Sequence, residues 1–168
     1  MNSATLKSKW ANWKFIAFII ILIAIFIKIF LIRDTGENAQ VVVELDLEKI
    51  AFRSQEEVAA IIGAGKLNSY YRDEKAGCEK CPTLTYKDGK IDIIFINDIA
   101  DRITINQLSD FSFDDTEILG VLGLKENISP TFHDGNLKRW DNYQKYTQIT
   151  AFGRHGKLQY ILIKCKTP

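Results

Sequence analysis

The longest run of hydrophobic positions covers residues 15–32 and contains a single charged side chain, Lys28. A helix needs roughly 20 apolar residues to cross the hydrocarbon core of a bilayer. Trp10 and Trp13 stand just before the run, where indole rings favour the membrane interface. The run is longer than the apolar centre of a signal peptide, and no small-residue cleavage site follows it. This pattern predicts an uncleaved transmembrane helix over residues 15–33.

Basic residues around this run predict its orientation. Lysines occupy positions 7, 9 and 14, whereas Arg33 is followed closely by Asp34 and Glu37. An excess of basic residues on one side favours the cytoplasm for that side. We therefore expect a cytoplasmic N-terminus over residues 1–14, a tether over 34–40 and an extracytoplasmic domain over 41–168. The predicted location is the bacterial inner membrane, crossed once, with the C-terminal domain in the periplasm.

Two later segments share a helical pattern sixty positions apart, SQEEVAAIIG at 54–63 and DDTEILGVLG at 114–123. Each begins with a residue suited to an N-cap, Ser54 or Asp114. Each has a glutamate three positions later, which is the spacing of a capping box. Apolar residues then recur at helical spacing, and a terminal glycine is typical of a helix end. The two segments predict one amphipathic helix each.

Three short runs of β-forming residues follow each predicted helix. They cover 83–86, 90–96 and 100–105 in the first half, and 140–143, 147–152 and 157–164 in the second. The Asp88-Gly89 pair between the first two is a strong hairpin signal. Aligning the halves pairs Tyr86 with Tyr143, Phe95 with Phe152 and Ile105 with Leu162. One further strand is predicted over residues 40–47, which are rich in β-branched side chains.

The predicted fold class is therefore α+β. An N-terminal transmembrane helix precedes a tandem α-βββ repeat, with repeat 1 over residues 54–106 and repeat 2 over 114–165. Hairpin-connected strands form antiparallel sheet, which can carry helices on one face and meet water on the other.

The helix ending in VAAIIG at 58–63, followed by YKDGK at 86–90 and FIN at 95–97, resembles the SmpA/BamE-like unit of bacterial envelopes. Two such units in tandem resemble the architecture of β-lactamase inhibitory protein. The resemblance covers residues 54–164. It implies a non-enzymatic binding or scaffold role and names no partner.

The motif CEKC at 78–81 allows three interpretations. A redox site needs a thiolate of low pKa, usually at a helix N-terminus. A zinc site needs four ligands, and only Cys165, His133 and His155 are left to complete one. A structural disulfide between Cys78 and Cys81 is the third interpretation and the favoured one. Cys165 is then expected to be a buried free thiol.

Charge and motifs narrow the function further. The net charge is +1, which creates no bulk field for nucleic acid, so none is predicted as a partner. The chain has no G-x-S-x-G nucleophile motif and no phosphate-binding glycine loop. We therefore predict no catalytic residue, no cofactor and no metal.

Aromatic and arginine side chains cluster in the two segments predicted as loops. Such side chains are the usual anchors of protein interfaces. The candidate contact residues are Tyr70, Tyr71, Arg72, Phe132, Arg139 and Trp140. The favoured hypothesis is a membrane-anchored scaffold of the envelope that binds a protein at the outer face of the membrane. An immunity or inhibitor protein that neutralises an extracytoplasmic enzyme or toxin is the first alternative, and a CxxC redox or metal-binding protein is the second.

Overall fold

A computed structural model describes residues 18, 19, 21–23, 42–124 and 128–166. The chain forms two units, Met1–Gln40 and Val41–Pro168, and residues 18, 19 and 21–23 of the first are helical. No helix within the described residues is long and apolar enough to cross a membrane. This finding contradicts the predicted transmembrane helix, the inner-membrane location and the periplasmic placement of the domain. Most of the predicted span, like residues 1–14 and 34–40, lies outside the described residues.

Three short α-helices are present among the described residues of the second unit: α1 at Leu47–Ile50, α2 at Gln55–Ile62 and α3 at Asp115–Val121. The capping box of α2 is confirmed, because Glu57 N donates to Ser54 Oγ at 3.2 Å and Ser54 N donates to Glu57 Oε2 at 2.9 Å. The capping box predicted for α3 is absent. The Asp114 side chain accepts no backbone N–H there, and it instead lies 2.5 Å from the Ser112 hydroxyl.

The strand predicted over residues 40–47 is also wrong. Residues 42–46 form no strand, and helix α1 begins at Leu47. Leu47 and Ile50 are fully buried, so the helical spacing of these two core residues outweighs the β propensity of the valines before them.

Eight strands within residues 42–124 and 128–166 form one antiparallel sheet. They are β1 Lys66–Asp73, β2 Cys78–Tyr86, β3 Ile91–Ile96, β4 Ile99–Ile105, β5 Phe132–Asp134, β6 Leu137–Asp141, β7 Tyr146–Arg154 and β8 Lys157–Cys165. Their order across the sheet is β1-β2-β3-β4-β8-β7-β6-β5. Counted from the centre outwards, the order is β4-β3-β2-β1 in one half and β8-β7-β6-β5 in the other, so the two halves have the same strand order. β4 and β8 pair at the centre. Each half has four strands.

The predicted fold class needs correction on these points. The described chain is dominated by the eight-stranded sheet, each repeat has an additional first strand, and no spanning helix precedes them among the residues described. Strand β1 and the first part of β2 together occupy most of residues 64–82, the segment predicted as the first loop. Strand β5 lies in the segment predicted as the second loop.

In the two central hairpins, β3-β4 and β7-β8, the strand pairing of the two halves matches when the sequence alignment is shifted by one position. A bulge separates Ile94 from Phe95 in β3, and the matching bulge separates Phe152 from Gly153 in β7. Phe95 pairs with Ala100, and Gly153 pairs with Leu158 in the same place of the second hairpin. The counterpart of Phe95 is therefore Gly153 and not Phe152.

Cross-strand pairing also corrects the alignment of β2 with β6. Tyr86 pairs with Ile91, and Trp140 pairs with Ile149, so Tyr86 corresponds to Trp140 and not to Tyr143.

The core lies between the three helices and one face of the sheet. It joins Leu47, Val58 and Ile118 of the helices to alternate residues of the strands. These strand residues include Ile91, Ile93, Ile103, Ile105, Ile149, Ile161 and Ile163. The opposite face of the sheet, called the open face below, carries no helix within the described residues. A second small cluster lies there, around Cys78, Cys81 and Ile96.

Candidate binding face

The open face displays the strand residues that alternate with the core. Cross-strand register aligns them into rows that run from one edge of the sheet to the other. One row crosses all eight strands and contains Lys66, Thr85, Asp92, Thr104, Leu162, Thr150, Arg139 and Phe132. Because these side chains are held on a continuous hydrogen-bonded sheet, they form one preformed surface.

The half of the open face that belongs to repeat 2 is rich in aromatic and aliphatic side chains. We call it the aromatic patch, and it consists of Phe132, Leu137, Arg139, Phe152, Tyr160 and Leu162. The rings of Phe152 and Tyr160 are stacked, with centroids 4.4 Å apart. Phe132 is 44% exposed and Leu162 is 40% exposed, so the patch is accessible at both ends.

Arg139 is held in place within the patch. Its guanidinium lies 5.2 Å from the centroid of the Phe132 ring, and its Nε donates to Asp141 Oδ2 at 3.0 Å. Gln148 and Thr131 also donate to the Asp141 carboxylate, each at 3.0 Å. The hydrogen bond from Gln148, together with those from Thr131 and Arg139, holds the pKa of Asp141 below its usual range. Asp141 therefore stays ionised and keeps the arginine fixed.

The half of the open face that belongs to repeat 1 is more polar. The Thr85 hydroxyl donates to Asp92, and Asn106 Nδ2 donates to the same carboxylate at 3.0 Å. Next to them, Tyr71 and Ile94 pack against the cluster around the two cysteines. In this half, Thr85 and Asn106 thus hydrogen-bond to Asp92, and Tyr71 and Ile94 cover part of the apolar surface around the cysteines.

A groove runs between the two halves, above the pairing of β4 with β8. Its lining includes Tyr71, Ile94, Arg102, Thr104, Gln148, Leu162 and Lys164. Arg102 and Lys164 occupy directly opposite positions in the ladder. The groove is continuous with the aromatic patch through Leu162.

Comparison with family models, curated proteins and solved structures finds no match.

The three candidate residues of β1 point in different directions. Tyr71 lies on the open face and its hydroxyl donates to Asp73 at 3.4 Å. Tyr70 lies on the opposite side of the strand, 52% exposed, with Lys80 Nζ 4.5 Å from its ring centroid. Arg72 is exposed and pairs with Glu74 at 2.7 Å. Only Tyr71 contributes to the face described above.

The three candidates of the second half also separate. Phe132 and Arg139 lie together in the aromatic patch. Trp140 is only 1% exposed, and its indole Nε1 donates to Ile128 O at 2.7 Å. It is an anchor of the core, because its side chain alternates with that of Arg139 and points to the helices.

Four patch residues are not among the candidates that the sequence indicates: Leu137, Phe152, Tyr160 and Leu162. A signal for them exists, because each alternates with a buried residue in β6, β7 or β8. Alternation shows which residues share a face, but it does not show which face the helices leave uncovered.

Cys78 and Cys81 are joined by a disulfide bond. The two cysteines lie within strand β2, not in a loop, and are 2% and 6% exposed. This burial argues against a redox site, which needs an accessible sulfur. Cys165 is a free, buried thiol. Among the described residues, no three or more His, Cys, Asp or Glu side chains are grouped so that they could hold a metal ion.

Proposed function

We propose that this protein is a non-enzymatic binding protein that contacts another protein through the aromatic patch. The observation that carries the proposal is a continuous set of aromatic, leucine and arginine side chains on a sheet face that no described helix covers. The cores of protein interfaces are enriched in aromatic residues and arginine and depleted in other charged residues.

Order within the patch supports this proposal. Phe152 is stacked on Tyr160, and Arg139 is held by Asp141 and Phe132. Side chains that are already fixed lose little conformational entropy when a partner binds, so more of the contact energy appears as affinity.

The test is affinity capture with the full chain from an extract of the source organism. The bait variants are Leu162→Asp, which places a charge in the patch, and Arg139→Glu, which reverses its cation. Arg154→Glu is the matched control, because Arg154 is exposed at the end of β7 and lies outside the patch. We expect a protein that the wild type and the control capture and that both patch variants lose. Circular dichroism melts verify that all variants fold.

A set of captured proteins that is the same for all four baits would contradict the proposal. The identity of a patch-dependent partner then distinguishes two uses of the same surface. An enzyme or toxin whose activity falls on binding indicates an inhibitor, whereas a multiprotein assembly indicates a scaffold.

A further inference from the structure

The groove between the repeats places two cations side by side. Arg102 of β4 and Lys164 of β8 are directly opposite in the ladder, and both lie on the open face. Like charges in directly opposite positions destabilise a sheet. The protein balances one of them, because Arg102 makes ion pairs with Asp73, at 3.6 Å, and with Asp101.

Lys164 is not balanced in this way. It is exposed and makes no ion pair with any residue that the structure describes. Its neighbours along the same row are Arg102 on one side and the amide of Gln148 on the other. The positive charge at the centre of the open face is therefore available to a partner.

Apolar side chains line the groove on both sides of this charge, together with polar ones such as Thr104 and Gln148. Tyr71 and Ile94 lie on the side of repeat 1, and Leu162 lies on the side of repeat 2. An acidic side chain with an apolar neighbour would place its carboxylate at Lys164 and its neighbour on Leu162. A basic side chain would instead meet Arg102 and Lys164 together.

We propose that the groove receives an acidic side chain of the protein partner and that Lys164 is the residue that pairs with it. This inference rests on the proposed function and adds the chemistry of the partner. Complementary charge of this kind sets which partner binds and in which register, while the aromatic patch supplies the apolar contact.

Peptide selection tests this inference even while the partner is unidentified. A random library of displayed peptides is selected on the full wild-type chain, and enriched peptides are synthesised and titrated by calorimetry. We expect enriched sequences that combine Asp or Glu with an adjacent large apolar residue. Their dissociation constant should rise about tenfold or more with Lys164→Glu, because attraction becomes repulsion. Lys164→Arg should keep the affinity within about twofold, since it keeps the charge.

Lys157→Glu is the matched control, because Lys157 is an exposed lysine at the opposite end of the same strand, so its charge change is the same. It should leave the affinity unchanged. If peptide binding is lost with Leu162→Asp but is unaffected by Lys164→Glu, the acidic-partner inference is wrong and the proposed function stands. If no enriched peptide depends on Leu162, the proposed function fails, and the inference fails with it.

Discussion

Gly153 should not tolerate even a methyl group, because the ring of Phe113 lies directly on it. A Cβ atom at Gly153 would lie 2.5 Å from Phe113 Cγ and 2.6 and 2.8 Å from the two Cδ atoms. Phe113 cannot move away easily. Its N–H donates to Gly156 O at 3.0 Å, and its carbonyl accepts from Lys138 Nζ at 2.8 Å.

The cost follows from overpacking. Forcing an extra carbon into a well-packed core costs about 1–3 kcal/mol. For a domain of this size we expect Gly153→Ala to lower Tm by roughly 3–15 °C. Thermal melts and urea titrations of the full chain measure both quantities. Gly135→Ala is the matched control, because no heavy atom lies within 4 Å of the added carbon there. Its effect should stay within about 0.5 kcal/mol.

A double-mutant cycle isolates the contact itself. Phe113→Ala removes the three ring atoms that the added carbon would meet, so Gly153→Ala should cost less stability in that background than in the wild type. The coupling energy should be at least about 0.5 kcal/mol. Equal stability of Gly153→Ala and Gly135→Ala, or a coupling energy of zero, would refute the packing of Phe113 on Gly153.

Three further changes test other parts of the structure. Ser54→Ala removes the cap of α2 and should cost about 1 kcal/mol in urea unfolding, whereas Asp114→Ala, which caps no backbone N–H, should cost less. Replacing Cys78 and Cys81 together with alanine should lower the free energy of unfolding by about 2 kcal/mol, since the closed loop is short. Burial raises the pKa of the Cys165 thiol from 9.0 to about 12, so its contribution to stability should be complete below pH 9 and lost between pH 9 and 12. Urea unfolding at about pH 8 and about pH 10, with Cys165→Ala as the comparison, measures this loss.

The elements that the sequence predicts well are those with a local signal. Helix α2 is marked in the sequence by its N-cap residue, Ser54, and by Glu57 three positions later, and the two form its capping box. Strands β3 and β8 of the two central hairpins bury nearly every second residue, so the period of two is visible in the sequence.

The missed strands lack such a signal. Most side chains of β1, an edge strand, are exposed, so no hydrophobic alternation marks it. β5 has three residues, all exposed, and is held only by its pairing with β6. Such strands depend on the neighbour to which they pair, and a single sequence does not show that neighbour. The burial of Trp140 is not visible in the sequence for a related reason, because the face to which it points is set by the distant helices.

A comparison of equivalent positions in the two repeats supports a binding role for the open face of repeat 2. At several equivalent core positions the halves carry the same residue: Ile91 matches Ile149, and Ile103 matches Ile161. On the open face four of the matching positions differ in character. Polar residues of repeat 1 correspond to patch residues of repeat 2, namely Thr83 to Leu137, Thr85 to Arg139, Arg102 to Tyr160 and Thr104 to Leu162.

Core packing requires apolar residues on the helix side of both repeats, so similarity there needs no functional explanation. Packing does not require aromatic and leucine side chains on an uncovered face, and repeat 1 shows that the same four strands are stable with threonine in such places. The aromatic patch is therefore an addition to the fold and not a condition of it. This is why Leu162→Asp should abolish binding while changing stability little, whereas Gly153→Ala should do the reverse.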